Sequence, residues 1–133
     1  MKFSKSKWFA YTLLVGLIPV LIRLLVWFVA ASDLVEPITA IDLITFGLVL
    51  NASVINEVEH LPAKDHEWKS AQNGLAIASI TFHGALYAMA VFGDKVDGVV
   101  NGDATLGAAI LLASMSMLIA LVNFHHLVKR SSK

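Results

Sequence analysis

Four long apolar segments constrain the fold of this 133-residue chain more than any other feature. They run over about residues 9–31, 38–55, 74–92 and 105–124. A helix needs about 20 apolar residues to cross the ~30 Å hydrocarbon core of a bilayer. A soluble four-helix bundle would need a polar stripe along each helix, whereas these segments are apolar almost all round. The sequence therefore predicts an all-α fold, an integral membrane four-helix bundle that forms one domain over residues 1–133.

Charged residues near the segment ends predict the orientation of this bundle. Positive residues near span ends stay on the cytoplasmic side. Basic residues flank the first and last segments: Lys2, Lys5, Lys7, Lys129, Arg130 and Lys133. The loops 32–37 and 93–104 are acidic instead. We therefore expect two transmembrane hairpins in the plasma (inner) membrane, with both termini and a connector over residues 56–73 in the cytoplasm. The long first segment favours a retained signal anchor over a cleaved signal peptide.

Helix ends and the connector carry further signals. Asp103 follows the turn-forming pair Asn101 and Gly102, so it is a predicted N-cap for the fourth helix. Residues 64–72 are compatible with a short amphipathic helix that places Trp68 at the membrane interface, although a solvated connector is the favoured interpretation. Small residues recur four positions apart, a spacing that permits close helix packing. These pairs are Gly74 and Ala78, Gly84 and Ala88, Ala109 and Ala113, and Ser116 and Ala120.

Arg23 lies deep inside the first apolar segment and needs a partner there. Counting ~1.5 Å of helical rise per residue from the loops puts Arg23 ~15 Å, Asp42 ~9 Å and His83 ~14 Å below the same surface. The first two helices are joined by a short loop and must be antiparallel neighbours. Because an arginine side chain can extend toward the surface, the sequence predicts an Arg23–Asp42 ion pair with His83 close by.

Three interpretations of this layer remain open. The pair fixes the register of the first hairpin and does little else; or it faces an oligomer interface or partner protein; or it lines a water-filled path with His83. Histidine is the side chain that ordinarily changes charge near physiological pH, which is the basis of the third interpretation.

The second apolar segment carries more polar side chains. Asp42, Thr45 and Ser53 fall on one predicted face with Val49 and Asn56, whereas Asn51 lies off that face. Asparagine at membrane depth typically forms hydrogen bonds between helices. The predicted intramembrane polar core therefore comprises Arg23, Asp42, Thr45, Asn51, Ser53 and His83.

The remaining motifs give little support for catalysis or metal binding. Glu57 and His60 form one Glu-x-x-His pair, whereas di-metal carboxylate bundles use two. A metal site built from His60, His66 and either His125 or His126 is a weak candidate, and ordinary interfacial histidines are the favoured interpretation. There is no cysteine, no phosphate-binding loop and no nucleophile–base arrangement. We therefore expect no enzyme activity, no metal and no cofactor. The zero net charge gives the chain no overall electrostatic attraction for nucleic acid, so we expect no nucleic-acid partner.

These observations favour a small non-enzymatic membrane protein that acts through intramembrane helix contacts. Its partners would be the lipid bilayer, a second copy of itself or another membrane protein. By size and topology alone, it is comparable to interaction subunits and to immunity or defence components. The alternative is a small oligomeric ion channel or ion-coupled transporter with a polar path through Arg23, Asp42 and His83.

Overall fold

The computed structural model describes residues 5–30, 33, 35–60 and 63–131, and these residues form an all-α bundle. The helices are α1 (Lys5–Val29), α2 (Ala40–Glu59), α3 (His66–Lys95) and α4 (Gly102–Ser131), with one 3-10 turn over Ala63–Asp65. All four helices are long and apolar enough to cross a membrane, which suggests a membrane protein. The prediction of an all-α protein with four candidate spans is confirmed.

The short turn between α2 and α3 differs from the predicted connector. The apolar content predicts a polar connector over residues 56–73, but α2 continues to Glu59 and α3 already begins at His66. Polar residues do not end a helix, so apolar content marks only the part suited to hydrocarbon. Lys69 Nζ donates to the carbonyl oxygen of Glu59 at 3.0 Å across the turn. The helical alternative for residues 64–72 is the closer description.

Side-chain caps begin α2 and α4. Thr39 Oγ1 accepts from the backbone N–H of Asp42 at 3.4 Å, and Asn101 Oδ1 accepts from that of Ala104 at 3.0 Å. The prediction that Asp103 caps α4 is therefore wrong, because the helix begins at Gly102, directly after Asn101. Asp103 lies in the first turn, where the helix dipole favours a carboxylate.

Helices α2 and α4 form the central pair of the bundle, and α1 and α3 both pack against this pair from opposite sides. Within the described residues, α1 and α3 do not pack on each other. The buried core cluster joins α2 to α4 through Phe46, Leu50, Val54, Val58, Ala113 and Ala120. The small α4 side chains allow this close approach, whereas a Cβ added at Gly74 or Gly84 of α3 would meet nothing within 4 Å.

Helix α1 packs through a glycine and an aromatic ring. A Cβ added at Gly16 would lie 2.9 Å from Cδ2 of Phe46, so α1 packs closely on α2 there. Nearer the start of α1, the ring of Phe9 stacks on that of Phe124 of α4 with centroids 4.7 Å apart. These contacts set α1 against the central pair and align its polar side chains with those of α2.

Candidate functional site: four buried polar layers

In the part of the chain that the structure describes, polar side chains inside the bundle connect the helices in four layers. We call these the ion pair (Arg23, Asp42), the central network (Asn51, Ser79, His83, Ser116), the α1 clamp (Trp8, Thr12, Ser53) and the amide pair (Gln72, Asn123). The ion pair and the α1 clamp join α1 to α2, the amide pair joins α3 to α4, and the central network joins α2, α3 and α4.

The ion pair lies near the end of the bundle where α1 finishes and α2 begins. Arg23 Nε donates to Asp42 Oδ2, and the exposed fractions of the two side chains are 34% and 12%. Asp42 lies in the first turn of α2, where the helix dipole also favours its negative charge. The structure thus brings together the two residues that the short loop between their helices predicts as partners.

The central network converges on the amide of Asn51. Its Nδ2 lies 2.7 Å from the carbonyl oxygen of Gly47, 3.1 Å from Ser79 Oγ and 2.8 Å from Ser116 Oγ. The carbonyl oxygen can only accept, which requires the amide nitrogen on this side. One side chain of α2 therefore contacts both α3 and α4. Asn51 is 0% exposed and Ser116 1%, so bulk water does not reach this junction.

His83 completes the central network from α3. Its Nδ1 donates to the carbonyl oxygen of Ser79 at 2.6 Å, which places the proton of the neutral ring on Nδ1. Its Nε2 lies 3.4 Å from Ser116 Oγ, and that hydroxyl donates to the carbonyl oxygen of Leu112 at 2.9 Å. Nε2 is therefore a weakly satisfied acceptor in the buried centre of the bundle.

Gly47 provides the space that the His83 ring occupies. A Cβ added at Gly47 would lie 2.0 Å from His83 Nε2, well inside any tolerable contact distance. The ring is 0% exposed and cannot move outward without leaving the interior. Residue 47 must therefore be glycine for His83 to keep its position.

The α1 clamp lies further along the same helix pair. Trp8 Nε1 donates to Ser53 Oγ at 2.7 Å, and the Thr12 and Ser53 hydroxyls are 2.8 Å apart. Asp42 and Ser53 are separated by ~16 Å of helical rise. Two distant polar contacts therefore hold α1 against α2 and set its register.

The amide pair repeats the arrangement seen at Asn51. Asn123 Nδ2 donates to Gln72 Oε1 at 2.7 Å and to the carbonyl oxygen of Ile119, one turn earlier, at 2.8 Å. In both asparagines the nitrogen therefore bonds its own helix and a neighbouring one. The Oδ1 atoms of Asn51 and Asn123 are buried and have no hydrogen-bond partner in the part of the chain that the structure describes.

The expected position of His83 beside the ion pair is corrected by these contacts. Its ring nitrogens contact Ser79 and Ser116, and the ring is level with Gly47. Gly47 lies five residues, or ~7.5 Å of rise, beyond Asp42. Depth counted from the loops did not capture this offset, because α3 continues past Phe92 to Lys95.

The predicted polar face of α2 lies toward α1, through Asp42 and Ser53, and not toward the centre of the bundle. Thr45 donates to its own helix at the carbonyl oxygen of Ile41, at 2.9 Å, and Asn56 is exposed. Ser53 belongs to the α1 clamp, and Asn51, expected off the face, occupies the centre of the bundle. The face that is buried runs through Gly47, Leu50, Asn51, Val54 and Val58.

Sequence reasoning did not assign a polar role to several residues of these layers. They are Trp8, Thr12, Gln72, Ser79, Ser116 and Asn123. Asn123 carried a usable signal, because an amide within an apolar segment needs an interhelical partner. Ser79 and Ser116 carried none beyond small size, since serine in an apolar helix can bond its own backbone.

The weak metal candidates do not come together. The ring of His126 stacks on that of Trp68 with centroids 4.1 Å apart, and His60, His66 and His125 are exposed. The described residues contain no group of three or more His, Cys, Asp or Glu side chains positioned to hold a metal ion.

Comparison of the chain with protein-family models, curated proteins and solved structures gave no match.

Substitution of Gly47 tests the role of the close contact with His83. We expect Gly47→Ala to lower the free energy of unfolding by about 2–3 kcal/mol, because the ring must move and its hydrogen bonds are lost. The matched control is Gly74→Ala, where the added methyl meets nothing within 4 Å. Thermal unfolding of the purified proteins in detergent measures both, and equal stability of the two variants would contradict the proposed role.

Charge exchange tests the ion pair. Arg23→Asp and Asp42→Arg should each destabilise the protein by about 1–3 kcal/mol, less than for a fully buried pair because Arg23 is partly exposed. The double variant should recover at least half of that loss. The yield of monodisperse protein and its melting temperature are the measurements. If the double variant is as unstable as the two single variants, the pairing of opposite charges is not what stabilises this contact. The position of each side chain on its own helix would then be the determining factor.

Proposed function

We propose that this chain is a small non-enzymatic membrane protein that acts through intramembrane helix contacts, as an interaction subunit or as an immunity or defence component. The observation that carries the proposal is the closed interior. Asn51 and His83 are both 0% exposed, so bulk water contacts neither side chain. A protein whose central polar groups are used to join its own helices is suited to present a surface rather than to conduct a solute.

The outward surfaces support the same proposal. Large apolar side chains point away from the bundle on three helices, including Leu25 of α1 (62% exposed), Phe82 of α3 (65%) and Leu111 of α4 (61%). In a bilayer such side chains contact lipid, a second copy of the chain or another membrane protein. We place the protein in the plasma (inner) membrane with both termini in the cytoplasm, on the basis of the basic residues at its two ends.

Photo-crosslinking in native membranes tests the contact role. Benzoylphenylalanine would replace Leu25, Phe82 or Leu111, one variant for each outward face. A contact protein should give a discrete protein adduct from one face and not from the other two, because a partner covers one side. Leu13 of α1, which packs against the core cluster, provides the control and should crosslink only within the chain. Absence of any protein adduct from all three faces would contradict the proposal.

The alternative is a small oligomeric ion channel or ion-coupled transporter. The observation that favours it is the pair of weakly satisfied acceptors in the central network, Asn51 Oδ1 and His83 Nε2. A buried acceptor without a donor costs about 1–3 kcal/mol. A second conformation that admits water would bring a hydrogen-bond donor to both atoms.

Thiol labelling and flux separate the two functions. The chain has no cysteine, so single cysteines at Asp42, Thr45 and Ser53 can be introduced directly. The contact role predicts no reaction of residues 45 and 53 with a water-soluble thiol reagent and no proton flux through liposomes that contain the purified protein. Labelling at all three positions, together with flux that His83→Gln abolishes, would establish the transport function instead.

A further inference from the structure

A cavity of about 500 Å³ opens at the end of the bundle where α1 and α3 finish and α2 and α4 begin. Its lining includes Arg23, Glu36, Thr39, Ala90, Asp94 and Asp103. A volume of this size lies within the range of small-molecule sites. In the described chain α1 and α3 do not pack on each other, and the cavity lies between them, with Arg23 of α1 and Asp94 of α3 in its lining.

Arg23 presents unused hydrogen-bond donors to this cavity. Arginine has five N–H groups, and only Nε bonds Asp42. Within the part of the chain that the structure describes, neither Nη nitrogen has an acceptor. The planar guanidinium matches phosphate oxygens in a bidentate geometry, so an anion of this kind suits the free edge of Arg23.

Three carboxylates line the same cavity. Glu36, Asp94 and Asp103 are exposed, and Asp103 is released from capping because Asn101 caps α4. The charge of Arg23 is already balanced by Asp42, so these carboxylates leave the cavity negative. A ligand that carried only an anion would be repelled by them. A ligand that also carries an ammonium group would pair with both kinds of charge.

We propose that this cavity binds a phosphate joined to a primary ammonium, the phosphoethanolamine group, with the phosphate on Arg23 and the ammonium among Glu36, Asp94 and Asp103. The candidate spans place this end of the bundle at a membrane surface, where phosphatidylethanolamine offers the same group. A soluble phosphoethanolamine compound is the other source. The site goes beyond the proposed contact role and does not depend on it.

Ligand-induced shifts in melting temperature test the site, with full-length protein in detergent and five probes. The probes are dioleoyl phosphatidylethanolamine, the matching phosphatidylcholine and phosphatidylglycerol, soluble phosphoethanolamine and inorganic phosphate. We expect phosphatidylethanolamine to bind about tenfold more tightly than phosphatidylcholine, whose ammonium has no N–H to donate. Soluble phosphoethanolamine that binds as tightly as the lipid would identify a soluble source, and weaker binding a lipid source.

Two matched variants complete the test. Asp94→Asn combined with Asp103→Asn should weaken phosphatidylethanolamine binding about tenfold, through loss of the charged acceptors. Asp97→Asn, in the loop that joins the same two helices but outside the cavity lining, should leave binding unchanged. The melting temperature without ligand shows whether each variant folds. Equal binding of phosphatidylcholine, equal binding of inorganic phosphate or phosphatidylglycerol, or an unaffected double variant would overturn the proposal.

Discussion

The amide of Asn51 is the interaction on which the arrangement of α2, α3 and α4 depends. Its nitrogen contacts the carbonyl oxygen of Gly47 and the hydroxyls of Ser79 and Ser116, so one group joins three helices. A polar group that is buried away from water must find its hydrogen-bond partners within the protein. Apolar side chains alone tolerate rotation and sliding between helices. The amide selects the one alignment in which its partners are met.

Helix α1 is attached to the bundle by different contacts from those that join the other three helices. Among the residues that the structure describes, its polar contacts reach only α2, through the ion pair near one end and the α1 clamp near the other. Its contact with α4 is apolar and includes the stacked rings of Phe9 and Phe124. The molecule therefore consists of a three-helix unit closed around the central network and a fourth helix held against its side. The cavity at one end follows from this arrangement, because α1 and α3 leave a space between them.

The number of helices and the partner of Arg23 were accessible from the sequence. Long apolar segments report helices directly, and a short loop forces Arg23 and Asp42 into neighbouring antiparallel helices. The central role of Asn51 was not accessible, because the spacing of polar residues along α2 gives their relative directions but not which direction faces the interior. Which face of α2 is buried is set by Leu50, Val54 and Val58, which pack on the small side chains of α4. The contact of Gly47 with His83 depends on how far α3 slides along α2, which no single helix encodes.

The positions of the polar residues along the chain determine the order in which the four layers can form during synthesis. Chains are made from the N-terminus, and earlier segments fold first. The ion pair and the α1 clamp join residues that are all present once α2 has been synthesised. Asn51, by contrast, needs a hydroxyl 65 positions further along the chain, at Ser116. During that interval the Asn51 amide of the newly made α1–α2 hairpin has the carbonyl oxygen of Gly47 as a partner but not the hydroxyl of Ser116. Synthesis of α4 supplies the Ser116 hydroxyl, so the central network is completed only after the last helix has been made.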